Sequence, residues 1–178
     1  YPGEDGIVFT RRQTVELPDG FHDVFSPRYD LGKFRGVDRE LGSSMKSVGE
    51  VMAIGLNFEE TIQKGLRMIG QGANGFVCNA SAAFDDIDNA LSHPTDTRMF
   101  AIAAAFDAGY SVERIAELTK ISPWFLERLC NIHSTYVGLK RLGGIGNLTP
   151  ELLSKAKGQG FPDKQIGIAL GCPASSVC

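Results

Sequence analysis

From Asn57 onward an apolar side chain returns every three or four positions, and nearly every such run starts at a capping residue and stops at glycine or proline. Only the 3.6-residue period puts those side chains on one face, so the pattern dictates short amphipathic α-helices packed on one another. Asn57 is placed to cap a helix with Glu60 three residues on, and Phe58, Ile62, Leu66 and Ile69 form its apolar stripe. Glu60 and Lys64 are in the favourable order for an i,i+4 ion pair on the exposed side. A second helix is expected from about Asp96, with Met99, Ile102, Ala103 and Phe106 inward and Gly109 as its C-terminal cap. Ser111 opens a third carrying Val112, Ile115 and Leu118, and Ser122-Pro123 a fourth carrying Phe125, Leu129, Ile132 and Tyr136. Thr149-Pro150-Glu151 opens a fifth with Leu152, Leu153 and Ala156, and Pro162-Asp163 a last short one ending near Gly171. Five or six helices are thus predicted, and the fold class is mainly α.

Within this set one pattern occurs twice. Gly109-Tyr110-Ser111 precedes Ile115-Ala116 by the same offset as Gly160-Phe161-Pro162 precedes Ile166-Gly167. Two copies predict two similar helical turns, whereas a solenoid needs three or more repeats.

The residues before Gly55 read differently. Ile7-Val8-Phe9 is β-prone, Val15 and Leu17 alternate with polar neighbours before the turn signal Pro18-Asp19-Gly20, and Phe21 to Phe25 can return as a second strand. Glu50 to Ile54 is the best strand candidate, closed by Gly55. This β-containing part is too small to bury a core of its own.

Composition narrows the function classes. An apolar share of 43% and a charged share of 22% are those of a globular chain. The net charge of −3 argues against a nucleic-acid partner, which a basic face would serve. The longest apolar stretch, Met99 to Phe106, falls short of the roughly 18 residues needed to cross a bilayer, so no membrane partner is expected. Tyr1 to Asp5 has neither the basic start nor the apolar middle of a signal peptide. Cys78, Cys130, Cys172 and Cys178 are scattered without a CxxC, which points to thiols in a reducing compartment and to no metal site. A cytoplasmic location is the expectation, with a mitochondrial one as the alternative.

Several motifs imitate sites. Gly70-Gln71-Gly72-Ala73-Asn74-Gly75 satisfies G-x-G-x-x-G, yet it follows a helix where a dinucleotide loop must follow a strand, so it reads as a helix-ending loop and no bound cofactor is expected. Gly109 to Trp124 imitates a helix-turn-helix, but the second helix offers Trp124, Phe125, Leu126 and Leu129 with a single Arg128, where a DNA reader needs polar and basic side chains. His22, His93 and His133 have no acidic or cysteine partner at recognisable spacing. No nucleophile elbow, P-loop or metal pair is present, so no catalytic residue is assigned. Phe84, Ile87 and Leu91 are candidates for an exposed apolar patch, the kind of face through which a helical unit self-associates.

One segment resists a bland reading. Met45-Lys46-Ser47-Val48-Gly49-Glu50-Val51-Met52-Ala53-Ile54-Gly55 mixes charged, small and apolar residues without a period. Lys46 and Glu50 so close together in a strand must either be paired or face a wet channel. The residues alone leave both readings open.

That segment resembles the signature closing the first ATP-grasp half of carbamoyl phosphate synthetase large subunits. The likeness continues through Phe58-Glu59-Glu60, Gln63-Lys64, Pro94-Thr95-Asp96, Arg98, Gly109 to Val112, Trp124-Phe125-Leu126, Gly160-Phe161 and Asp163 to Ile166, over about residues 23 to 176. Eukaryotic, glutamine-using members are especially similar. The resemblance implies a piece of an ATP-dependent ligase: 23–70 as the tail of the bicarbonate-activating ATP-grasp domain and 71–178 as the helical oligomerisation domain, with 1–22 unassigned. It implies that Met45 and Glu50 line the tunnel passing carbamate between active sites, which favours the channel reading. It further implies ATP, Mg2+ and K+ as cofactors of the whole enzyme but none held here, and as partners the rest of the synthetase chain, a glutaminase and a second copy. Val24-Phe25-Ser26-Pro27-Arg28 only approximates the family's Lys-Ile-Pro-Arg run, and the ATP-binding residues would lie upstream. The piece alone is therefore expected to be inactive; a stand-alone helical interaction module is the alternative reading.

Overall fold

Asn57 starts the helical part as its sequence predicts. It holds an extended backbone (φ −151°, ψ 167°) while its side chain accepts from the Glu60 N–H at 2.8 Å, satisfying one of the donors that every helix start leaves unpaired. In the computed structural model, which describes residues 22–29, 31, 36, 38–70, 72–77, 79 and 84–177, helix α1 runs Phe58–Met68 from this cap. Phe58, Ile62, Leu66 and Ile69 are all buried, and Lys64 meets Glu60 at 2.6 Å on the outer side.

Two strands precede it, β1 (His22–Arg28) and β2 (Gly49–Gly55), paired antiparallel with His22 opposite Gly55 and Arg28 opposite Gly49. The β-prone runs at 7–9 and 15–17 and the turn at 18–20 lie outside the described residues, as do Gln71, Cys78 and Cys178. α1 covers one face of this pair. A Cβ placed on Gly65 of α1 would lie 3.7 Å from that of Ala53, so helix and strand touch without overlap.

Six further α-helices follow among the described residues: α2 (Ile87–Ser92), α3 (Arg98–Asp107), α4 (Val112–Thr119), α5 (Pro123–Arg141), α6 (Pro150–Gly158) and α7 (Asp163–Leu170). Single 3₁₀ turns lie at Ile145–Asn147 and Ala174–Ser176. Helix α5 is the spine. Leu126, Leu129, Ile132 and Leu139 on it are fully or almost fully buried, with α4, α7, α1 and α3 packed around it. Burying each such side chain contributes about 1.5–3 kcal/mol.

Helix α2 was not among the helices expected. Its six residues carry too few apolar positions for a period to show, and Asp86 supplies its cap by accepting from Asn89 N–H at 3.0 Å. This corrects the expectation of an exposed patch. Leu91 is fully buried and Ile87 half-buried, because α3 and α4 close over α2, and Phe84 is half-buried against the same core.

Arg98, at the first turn of α3, is only 3% exposed. It donates to the Leu91 carbonyl through Nε (3.1 Å) and Nη2 (2.8 Å) and to the Thr119 carbonyl through Nη2 (2.7 Å). These carbonyls lie in the last turns of α2 and α4, where unpaired acceptors and the negative end of the helix dipole favour a cation.

The repeated sequence pattern is a repeated structure. Tyr110 and Phe161 N–H each reach back to an alanine carbonyl, Ala105 and Ala156, at 3.0 Å, across a left-handed glycine (Gly109 φ +85°, Gly160 φ +79°). The helices that follow bury Ile115 and Ile166 completely and both end on a left-handed residue, Lys120 (φ 60°) and Gly171 (φ 70°). Each copy is gripped by an earlier helix at the same register position. Asp88 of α2 accepts from Arg114 at 2.8 Å, and Gln63 of α1 accepts from Gln165 at 3.3 Å.

Candidate functional site

The segment leading into α1 concentrates the unexplained chemistry. Strand β2 alternates, as a strand with one covered face must. Val51, Ala53 and Gly55 turn toward the helix side, while Glu50, Met52 and Ile54 are exposed. Among the described side chains the outer face of β2 therefore sets the Glu50 carboxylate beside Met52 and Ile54, and Met45, 86% exposed, and Leu56, 64% exposed, flank the strand at its two ends.

Lys46 and Glu50 part ways. The Lys46 ammonium donates to the Asp38 and Glu40 carbonyls at 3.0 and 2.5 Å and lies 3.7 Å from the Asp38 carboxylate. It closes the chain between 38 and 46 into a loop. Asp38 also accepts from Glu40 N–H, and that bond, aided by Lys46, holds its carboxyl below the usual range. Lys46 is thus the paired, structural member of the two. Glu50 stands on the exposed face opposite Pro27 of β1.

The same loop is sewn to the start of α3. Arg39 forms a two-pronged bond with Asp96, Nε to Oδ1 at 2.9 Å and Nη2 to Oδ2 at 2.8 Å, and the Asp96 side chain is only 5% exposed. Leu41 N–H donates to the Pro94 carbonyl at 2.6 Å, and Glu40 pairs with Thr95 as an isolated β-bridge. Burial, with the Asp96 charge second, pushes the nearby Tyr29 hydroxyl up.

Helix α1 ties the strands to the far end of the molecule. Asn57 Nδ2, Gln63 Nε2 and Arg67 Nη1 donate to the carbonyls of Gly158, Gln159 and Gly160 at 2.9, 3.1 and 2.8 Å. Three successive carbonyls at the end of α6 therefore find their donors on α1, in place of water or a cap of their own. Burial pushes the Glu60 carboxyl up, but the Lys64 ammonium and the Leu56 N–H outweigh it and hold it below the usual range.

The glycine loop after α1 behaves as a helix end. Gly70, Gly72 and Gly75 all have positive φ. At Gly75 (φ +141°) a Cβ would sit 2.4 Å from Gln63 Oε1, so only glycine lets that amide accept from Phe76 N–H and Gln165 Nε2. At the start of α5, Trp124 meets Phe58 edge-on with ring centroids 5.7 Å apart. Arg128 sits 5.2 Å over the Trp124 ring and 3.8 Å from the carboxylate of the buried Glu59.

Sequence spacing could not foresee several of these pairs. His133 Nε2 bonds Asp107 at 2.8 Å across 26 residues, and Gln63 meets Gln165 across 102. His93 Nδ1 lies 3.1 Å from the Asn89 carbonyl within its own turn. Cys130 and Cys172 are half-buried free thiols. No helix among the described residues is long and apolar enough to cross a membrane.

Comparison with known proteins places this arrangement. The family model for the oligomerisation domain of the carbamoyl-phosphate synthetase large chain matches residues 50–178. The arginine-specific large chain of carbamoyl phosphate synthase, mitochondrial, from Schizosaccharomyces pombe is 49% identical over 152 residues, covering 85% of this chain and 13% of that protein. Multifunctional protein CAD from Squalus acanthias is 47% identical over 144 residues, 81% of this chain and 6% of that protein. The mitochondrial carbamoyl-phosphate synthase [ammonia] of Mus musculus is 44% identical over 150 residues, 82% of this chain and 10% of that protein. The chain therefore spans between 6 and 13% of the length of these relatives. With the family model matching residues 50–178 and relatives 44–49% identical over 81–85% of the chain, this chain belongs to the carbamoyl-phosphate synthetase large-chain family and carries its oligomerisation domain.

Proposed function

We propose that this chain is the connecting piece of a glutamine-dependent synthetase that makes carbamoyl phosphate from bicarbonate and ammonia with ATP. In this reading residues 23–70 end the bicarbonate-activating half, 71–178 form the oligomerisation unit, and the ATP- and metal-handling residues belong to other parts of the longer protein. The single observation that carries it is the family match over residues 50–178, joined to relatives named for carbamoyl phosphate synthesis. A product serving arginine synthesis fits the arginine-specific relatives, and one serving pyrimidine synthesis is the alternative.

In the same reading Met45 and Glu50 line the passage for carbamate, and the rest of the synthetase chain and a glutaminase cover the outer face of β2. Support comes from the exposure of Glu50, Met52 and Ile54 on the side of β2 turned away from α1, and from the exposure of Met45 in the turn that leads into that strand. A passage for a short-lived anion needs an adaptable apolar wall, which methionine supplies, and a carboxylate that keeps the anion from settling. Met45→Trp in the full-length synthetase tests this. Overall synthesis should stop while glutamine hydrolysis and bicarbonate-dependent ATP hydrolysis continue. Normal synthesis in that variant, or loss of both partial reactions in proportion, overturns the passage assignment.

A further inference from the structure

The turn that carries Met45 has no secondary structure of its own, yet it is fixed at both ends by side chains. Upstream, the Arg39 fork grips Asp96, and Leu41 N–H and the Glu40–Thr95 bridge extend the seam along residues 94–96. Downstream, Lys46 reaches back to the Asp38 and Glu40 carbonyls, and Val48 N–H donates to the Arg28 carbonyl at 2.9 Å. The seam sits at the entry to α3, whose first residue, Arg98, is itself locked into the core by the ends of α2 and α4.

We propose that Asp96 and Lys46 are positioning residues that hold the Met45 turn against the helical unit, so that the oligomerisation domain sets where one wall of the carbamate passage stands. The proposal rests on the reading of Met45 given above. Its physical basis is geometric. A carboxylate buried to the degree of Asp96 must keep a cationic partner, and a planar guanidinium bonded through two nitrogens fixes orientation as well as distance. Lys46, with three donors, then converts a fixed edge into a fixed loop.

Two measurements separate the latch from the passage. In the purified chain, Asp96→Asn and Arg39→Ala should accelerate amide hydrogen exchange of residues 38–48 at least tenfold while α5 keeps its protection. Arg39 is half-exposed, so its removal leaves the core intact even where Asp96→Asn does not fold. Unchanged exchange in Arg39→Ala overturns the latch. In the full-length synthetase, Lys46→Met and Arg39→Ala should at least double the ATP hydrolysed per carbamoyl phosphate formed, because carbamate escapes, with bicarbonate-dependent ATP hydrolysis retained. An unchanged ratio despite a loosened loop overturns the positioning role. Met45→Trp in parallel then tells which idea failed: if it blocks synthesis, the passage stands and only the latch falls; if it does not, the passage reading falls with it.

Discussion

Gly109 and Gly160 occupy the same place in two copies of one motif, and they should respond very differently to one added methyl group. Both have left-handed backbone, φ +85° and +79°, so alanine at either position costs about 1–2 kcal/mol for that conformation. At Gly109 a Cβ would meet nothing within 4 Å, and the cost ends there. At Gly160 it would lie 2.9 Å from Glu60 Cα and 3.0 Å from the Glu60 carbonyl oxygen, both backbone atoms of α1 that cannot swing aside. Relieving that overlap means lifting α1, an overpacking strain of about 1–3 kcal/mol. Lifting α1 also stretches the bonds from Asn57, Gln63 and Arg67 to carbonyls 158–160. Gly160→Ala should therefore exceed Gly109→Ala by about 1–3 kcal/mol, or roughly 2–12 °C in Tm for a chain of this size. Urea unfolding of both variants, followed by circular dichroism, measures the difference. Hydrogen exchange should place the extra loss in α1. Equal costs at the two glycines would refute the argument, since backbone conformation alone would then account for both.

Arg98→Met should cost about 3–5 kcal/mol, because it leaves the Leu91 and Thr119 carbonyls buried without their charged donor, and a urea-midpoint shift worth less than about 1 kcal/mol would contradict that account. Asp88 gains a pH signature: the Tyr110 hydroxyl and then Arg114 hold its carboxyl below the usual range, so its contribution is present above the unfolded value near pH 4 and fades as pH falls below it. The stability gap between the wild-type chain and Asp88→Asn should accordingly be wider at pH 7 than at pH 3, and a gap that does not change between the two would dismiss the ion pair.

How much could be read from the chain itself follows from the range of each signal. Asn57, Ser111 and Thr149 each cap the helix they were expected to cap, and Gly109 and Gly171 stop theirs, because a cap engages donors only three residues away. The stripes on α1 and α5 were legible for the same reason: the period is local, and burial on one face is its direct consequence. The family resemblance, too, was carried by words of sequence such as Met45 to Gly55. Helix α2 escaped because six residues give a period no room to repeat, and its Leu91 looked exposed only because its cover, α3 and α4, comes from other parts of the chain. Lys46 and Glu50, alike as charged residues in one segment, were separated into a bonded and an exposed group by the carbonyls that loop 38–46 brings to the lysine. Arg39 with Asp96, His133 with Asp107, and Gln63 with Gln165 lie 57, 26 and 102 residues apart. No spacing rule links such positions. They meet because burying the apolar stripes fixes where the helices lie, and each polar group left at a contact then has to find whatever partner that packing delivers.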